Sequence, residues 1–408
     1  MKLALLQNSN LSVLKLGYNN LSDEGMITLA SGISTHSALK SLDVGFNNVG
    51  NEGCAALASA IRSAASNGGS LHTLYLAGNC IAKEGAFALS EMYKGGVGIR
   101  RLHVTGNKFG PDGIHALVQA MIQQQERIKR FHHSSEILSH NREDGGIEEL
   151  FLGGTGMGSF GCESVAKLLE VSKTLQVISL ANCNLGDKEA EVLADAISKN
   201  VQELPLRSLQ LSFNSLTCKG IESLMNAVWN LRGLKELKLD NNKMEARGAQ
   251  VVSAVIGTIK TLTDLDVGFN CIGSGGMRLL MKAVADSKTL LNLSVSGNSI
   301  DIGSAKAVAY ALAHNCSLKS LFLDHCSIQG ESQRHITAGI VSNSGTNLEV
   351  LTGFPVGSKC TISSSLSCCF LGRILSYFSC QIQLMLHRLA FHQLSNIGQM
   401  SRYLNLYY

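Results

Sequence analysis

At 408 residues the chain is long enough for two or three average domains or for one elongated array. Its 45% hydrophobic content excludes a mostly disordered chain, and 41 Gly against 3 Pro fit neither collagen nor a Pro-rich linker protein. The formal net charge of +4 is too small to imply a nucleic-acid partner.

Taken from the start, MKLALLQNSN turns polar too quickly for a secretory signal peptide. No amphipathic cap is evident before Leu11, which reads as a chain beginning inside a longer array and a first coil that opens early. From there L-x-x-L-x-L-x-x-N recurs. It opens at Leu11, Leu39, Leu71, Ile99, Ile147 and Leu175, then at Leu206, Leu234, Leu262, Leu290 and Leu318. Most spacings are 28 residues, and a twelfth opening at Leu348 breaks off. Such periodicity is the signature of a solenoid.

Each unit begins with alternating apolar and polar residues, as in Leu14-Lys15-Leu16, the period of a short strand. An Asn follows in eight units, replaced by Cys183 and Cys326 twice and by Thr155 once. A short inward-pointing polar group there would bond the backbone of its own turn and of the neighbouring coil, and a thiol would do so weakly. Next comes an apolar residue, then Gly four later in eight of eleven units, then another apolar residue, as in Leu21-Gly25-Leu29. The i, i+4 spacing places these on one helix face, with Gly allowing close helix approach. Ser22 reads as an N-cap, and Pro111 as the first helical residue of its unit.

This unit resembles the ribonuclease-inhibitor-like class of leucine-rich repeats. The resemblance implies an α/β solenoid, a horseshoe with a parallel sheet on its concave face and helices on its convex face. Right-handed crossovers and the inability of one unit to bury its own apolar face lead to the same architecture. The expected organisation is a solenoid over residues 1–351, with about eleven repeats and a partial twelfth. The unit opening at Ile99 runs 48 residues, and its polar excess at 123–146 reads as a surface loop.

Residues 352–408 lose the pattern. Of the 35 Lys and Arg in the chain, Lys359, Arg373, Arg388 and Arg402 lie here with no acid, so residues 1–351 carry 31 basic and 31 acidic side chains. The tail reads as poorly ordered and dispensable, with truncation after Leu351 expected to leave stability nearly unchanged.

Twelve Cys without a C-x-x-C or zinc spacing read as thiols of an intracellular protein, cytoplasmic or nuclear. His132, His133 and His140 in the long unit read as solvated rather than metal-binding, and no cofactor is implied. No nucleophile elbow, P-loop or H-E-x-x-H is present, so no enzymatic activity is expected. The longest uncharged tail run is too short to span a bilayer.

The informative surface is the concave sheet. Between the second and third leucines lies a row that includes Tyr75, His103, Phe151, Lys238, Asp266 and Phe322. Just before the Asn lies a second row with Tyr18, Phe46, Phe213 and Phe269. Mixed charge with exposed aromatics suits a protein partner, where aromatic anchors carry most of the energy. The alternative for Phe46 and Phe269 is packing along the ladder. A non-enzymatic scaffold or recognition module is the leading expectation, with the oligomeric state open. The resemblance also extends to Ran-type GTPase activators and to the sensor arrays of NOD-like receptors. The activator class carries an Arg-bearing turn and an acidic tail. Here the matching turns, Ala77-Gly78-Asn79-Cys80 and Thr105-Gly106-Asn107-Lys108, lack Arg and the tail lacks acid.

Overall fold

A computed structural model describes residues 2–8, 10–133 and 146–353. Twelve short strands are present among the described residues: β1 Val13–Lys15, β2 Ser41–Asp43, β3 Thr73–Tyr75, β4 Arg101–His103, β5 Glu149–Phe151, β6 Val177–Ser179, β7 Ser208–Gln210, β8 Glu236–Lys238, β9 Asp264–Asp266, β10 Asn292–Ser294, β11 Ser320–Phe322 and β12 Val350–Leu351. Helices alternate with them: α1 Lys2–Gln7, α2 Ser22–Ile33, α3 Asn51–Ser66, α4 Lys83–Lys94, α5 Gly110–His133, α6 Gly158–Val171, α7 Asp187–Lys199, α8 Cys218–Val228, α9 Glu245–Ile256, α10 Gly273–Asp286, α11 Ile302–His314 and α12 Gly330–Ser342.

The strands form one parallel sheet in sequence order. Each unit pairs with the next at the same repeat position, so Leu14 lies opposite Leu42, and Leu42 opposite Leu74. That register stacks the leucines between sheet and helices as one core, with Leu42, Leu74, Leu102 and Leu150 all fully buried. The result is an open α/β solenoid, sheet concave and helices convex. The first coil is the exception, since Leu11, Leu14 and Leu16 are only partly buried.

The Asn ladder works as its chemistry requires. Asn79 Oδ1 accepts from the backbone N–H of Asn47 and Val49 in the preceding coil, each at 3.0 Å. Its Nδ2 donates to Val44 and Leu76 carbonyls at 3.0 and 2.9 Å. The Cys183 thiol donates to Leu152 and Ala181 carbonyls at 3.5 and 3.6 Å, and Cys326 repeats the pattern with Val295 and Asp324. Burial pushes both thiols up to about 11, which keeps them protonated donors. The helix glycines behave as expected too. A Cβ on Gly276 would stand 2.9 Å from Ala249 Cβ and 3.1 Å from Ala246 Cα, so α9 and α10 approach through it.

Three local expectations are corrected. Ser22 is not an N-cap: it opens α2 with a positive φ of 55°, and no side chain of its own unit caps that helix. Capping instead crosses between coils. Asp23 Oδ1 accepts from Gly50 and Gly53 N–H at 2.7 and 2.8 Å, at the start of α3, and Asp187 does the same for Thr217 and Gly220 at the start of α8. Pro111 stands as expected, because Gly110 before it has a positive φ of 67° and Pro111 is the first residue of α5 able to hold helical geometry. The excess in the long unit begins as helix, because α5 continues to His133. Its polar residues are not all solvated, since Gln124 and Gln125 are buried and donate to the Val97 carbonyl and the Ser172 hydroxyl. Finally, a short helix does precede the first strand. In α1, Leu5 is buried and joins the core, through too few residues to give a readable period. His140 and the tail beyond residue 353 lie outside the described residues, as do the side chains of His132 and His133.

Candidate functional site

The concave row is set by strand alternation and register. Tyr75, His103 and Phe151 occupy the same position on β3, β4 and β5 and pair directly across the ladder. Their rings form one stack, with centroids 4.1 Å apart for Tyr75–His103 and 4.0 Å for His103–Phe151. All three are half-buried.

Beside this stack the structure places residues that the repeat pattern did not single out. Arg101 and Glu149 lie opposite each other in register, and Arg101 Nε bonds Glu149 Oε1 at 3.0 Å. Glu148 lies 3.8 Å from both Arg100 and Arg101. Glu149 Oε2 is 3.9 Å from His103 Nε2, yet its other oxygen is committed to Arg101. Burial, with Arg101 second, therefore brings the His103 pKa down to about 4, and the imidazole sits neutral between its neighbours.

The second row lies in the turn after each strand, and its backbone is unusual. Tyr18, Phe46, Phe213 and Phe269 all have positive φ, between 52° and 63°. The same position elsewhere holds Gly78, Gly106, Gly154 or Gly297, or Asn182 or Asn241, residues suited to that conformation, and in one unit His325. Tyr18 stacks on Phe46 at 4.5 Å, nearly parallel. Phe46 in turn lies over Gly78, and Phe269 over Gly297, where an added Cβ would come within 2.3 and 2.2 Å of the ring. The ladder-packing alternative thus describes one face of these rings. Tyr18, Phe213 and Phe269 still remain exposed at 62%, 41% and 44%.

The remaining candidates are spread along the sheet. Lys238 bonds Glu236 at 2.8 Å and faces Asp266 in register, while Asp266 accepts from Gly268 N–H at 3.0 Å. Phe322 stands half-buried on β11. Position matters for charge as well. Glu236, Asp240, Asp264, Asp266 and Asp324 all fall on or just after β8, β9 and β11, so the neutral total conceals an acidic C-terminal stretch of the concave face. Its carboxylates are engaged by neighbours, for example Asp264 by Asn292 Nδ2 at 2.6 Å and Asp324 by the Thr352 hydroxyl at 2.6 Å. Among the described residues no group of three or more His, Cys, Asp or Glu is placed to hold a metal ion, and no helix is long and apolar enough to cross a membrane.

Comparison with known proteins agrees with this architecture. The family model described as Leucine Rich repeat matches residues 7–30, 36–58, 70–90, 99–118 and 258–281. No curated protein matches the chain in sequence. Among solved structures, the yeast Rad7–Elc1 complex aligns with a TM-score of 0.54 at 16% identity, covering 90% of this chain and 83% of that one. An internalin (InlF) from Listeria monocytogenes aligns at 14% identity with a TM-score of 0.43, covering 87% of this chain and 89% of that chain. LegL7 from Legionella pneumophila aligns at 13% identity and 0.43, covering 88% and 96%. At such identities the first of these likenesses speaks for the fold alone.

Proposed function

We propose that this leucine-rich repeat protein is a non-enzymatic recognition module that holds a protein partner on its concave face. The observation that carries the reading is the continuous Tyr75–His103–Phe151 stack on a solvent-facing row. A sheet face stabilised by its leucines does not need three stacked rings on its outer side. Aromatic groups with one packed and one wet edge are the usual anchors of interfaces. The turn aromatics support the reading by a different route. Placing Phe or Tyr at positive φ costs about 1–2 kcal/mol against Gly, a cost that folding alone does not require at Phe213 or Phe269. Nothing in the fold favours the GTPase-activator or receptor-fragment readings over this one.

The test is Tyr75→Ala combined with Phe151→Ala, in the full chain. The partner is first isolated by affinity capture on the wild type, and its affinity for each variant is then measured. Affinity should fall by at least about 30-fold, the scale of about 2 kcal/mol for an interface hot spot. The melting temperature should change little. Unchanged affinity with a lowered melting temperature would assign these rings to packing. A Ran GTPase assay distinguishes the activator reading, which requires acceleration of about 10³-fold or more.

A further inference from the structure

The convex helices are not uniform. On α9–α11 four exposed cations point outward, Arg247 on α9, Arg278 and Lys282 one turn apart on α10, and Lys306 on α11, with the exposed carboxylates of Glu245, Asp286 and Asp301 at the helix ends. Arg247 is ion-paired at 3.8 Å to Glu222, and Arg278 and Asp301 both border the space over Gly303, each 3.5 Å from where a Cβ would stand. Helix α7 presents Glu191 and Asp195 outward together with Lys188 and Lys199. In this same region the helices leave two adjoining depressions that share Arg278. One, about 470 Å³, lies between α10 and α11 over Gly303 and Ala307, with Tyr310 at its end. The other, about 550 Å³, lies between α9 and α10 over Gly275 and Gly276, with Leu279 at its edge. Missing side chains make this trough, for a Cβ on Gly275 would meet nothing within 4 Å. Leu279, Ile302 and Tyr310 give the depressions apolar edges, each 44% exposed or more.

We propose that this trough is a second docking surface, independent of the concave face, which takes an acidic amphipathic helix. A helix packs into the groove between two others when small residues line the floor, here Gly275 and Gly276 in one depression and Gly303 and Ala307 in the other. Carboxylates flanking the apolar ridge of the docked helix would meet Arg278 and Lys282 on one side and Lys306 on the other, in a position that water reaches only partly once the trough is filled. The tail of this chain is excluded as occupant by its own charge, since residues 352–408 carry four cations and no acid. A polyanion or an anionic membrane would answer the charge but has no use for the depressions.

The test starts with a selection of random displayed peptides on the full chain. Enriched sequences should share acidic residues that flank apolar ones at helical spacing. One such peptide, synthesised and fluorescently labelled, is titrated against the wild type, Lys282→Glu, Gly275→Leu and Phe151→Ala, with a melting curve for each. Lys282→Glu and Gly275→Leu should each weaken binding by at least about tenfold, and Phe151→Ala should not. Gly275→Leu should fold, because its site is open and Leu is the better helix former. Gly303→Leu is the second filling variant, its nearest neighbours being Arg278 Nη1 and Asp301 Oδ1, each 3.5 Å from the added Cβ. Enrichment without acidic bias, or full binding by the filling variants, would overturn the proposal. So would equal binding of wild type and Gly275→Leu to phosphatidylserine vesicles or heparin in place of peptide. Loss on Phe151→Ala alone would move the peptide to the concave face, overturning this proposal while leaving the concave reading standing.

Discussion

Single side chains do two different jobs in this chain, bridging coils and facing solvent. The Asn ladder belongs to the first. Asn79 is 5% exposed and makes four hydrogen bonds, one within its own coil and three to the preceding one. Asn79→Ala leaves buried N–H and C=O groups unmatched and should cost about 2–3 kcal/mol in denaturant unfolding. Cys183→Ala, which removes only a weak thiol donor, should cost about 1 kcal/mol. His103 belongs to the second job and makes the chain sensitive to acid. Its folded pKa of about 4 lies below the ordinary value of 6.5, so between those pH values the unfolded chain binds the proton that the folded one refuses. Stability should therefore fall as pH drops from about 6.5 towards 4. His103→Gln should flatten that part of the pH profile in thermal melts, leaving the slope from carboxylates below it.

Some helices in this array are closed by the neighbouring coil, while α11 is capped by its own Asp301. Helix α3 begins at Asn51 behind Gly50, which has no side chain to cap with, and Asp23 from the previous coil supplies the acceptor. Asp23→Ala should cost about 1–2 kcal/mol, the value of a lost cap, and the loss should appear as faster hydrogen exchange in the first turn of α3 rather than in α2. The turns follow a similar division. Phe269 holds a positive φ of 52° that Asn adopts readily, as Asn182 and Asn241 do at the same repeat position. Phe269→Asn should leave the melting temperature within a few degrees of the wild type. If the turn aromatics serve a partner, the same substitution should weaken binding on the concave side. A large loss of stability would assign the ring to its contact with Gly297.

The array as a whole is bound by nearest-neighbour interfaces, so its ends are its weak points. At the N-terminal end β1 pairs with β2 alone, α1 is only six residues long, and the first-coil leucines remain partly exposed. Amide exchange should be fastest in residues 11–33 and slowest in the middle coils. Uniform protection would contradict it. Charge has the same long-range character. Thirty-one acidic and thirty-one basic side chains cancel over residues 1–351, yet β8–β11 gather carboxylates on one face while α9–α11 gather cations on the other.

The sequence by itself determined the period and the alternation. Leucines at fixed offsets must share one core, and the residues between them, such as Tyr75 and Phe151, must face away from it. Adjacent parallel strands are about 4.8 Å apart, so residues at the same repeat position became spatial neighbours, and the alignment of Tyr75, His103 and Phe151, 28 and 48 residues apart, was legible from the motif. What the tertiary structure decided was everything that depends on who sits across a coil boundary in detail. The cap on α3 comes from Asp23, not from its own unit, because the register places that carboxylate at the next helix's open N–H groups. Arg101 takes Glu149 and so leaves His103 uncompensated, an outcome of three side chains competing at one point. Residues 123–133 became helix because Gln124 and Gln125 find partners on neighbouring coils, which no local polarity count contains. The trough on α9–α11 exists for the same reason. A glycine makes a groove only when the helices on both sides fail to fill it.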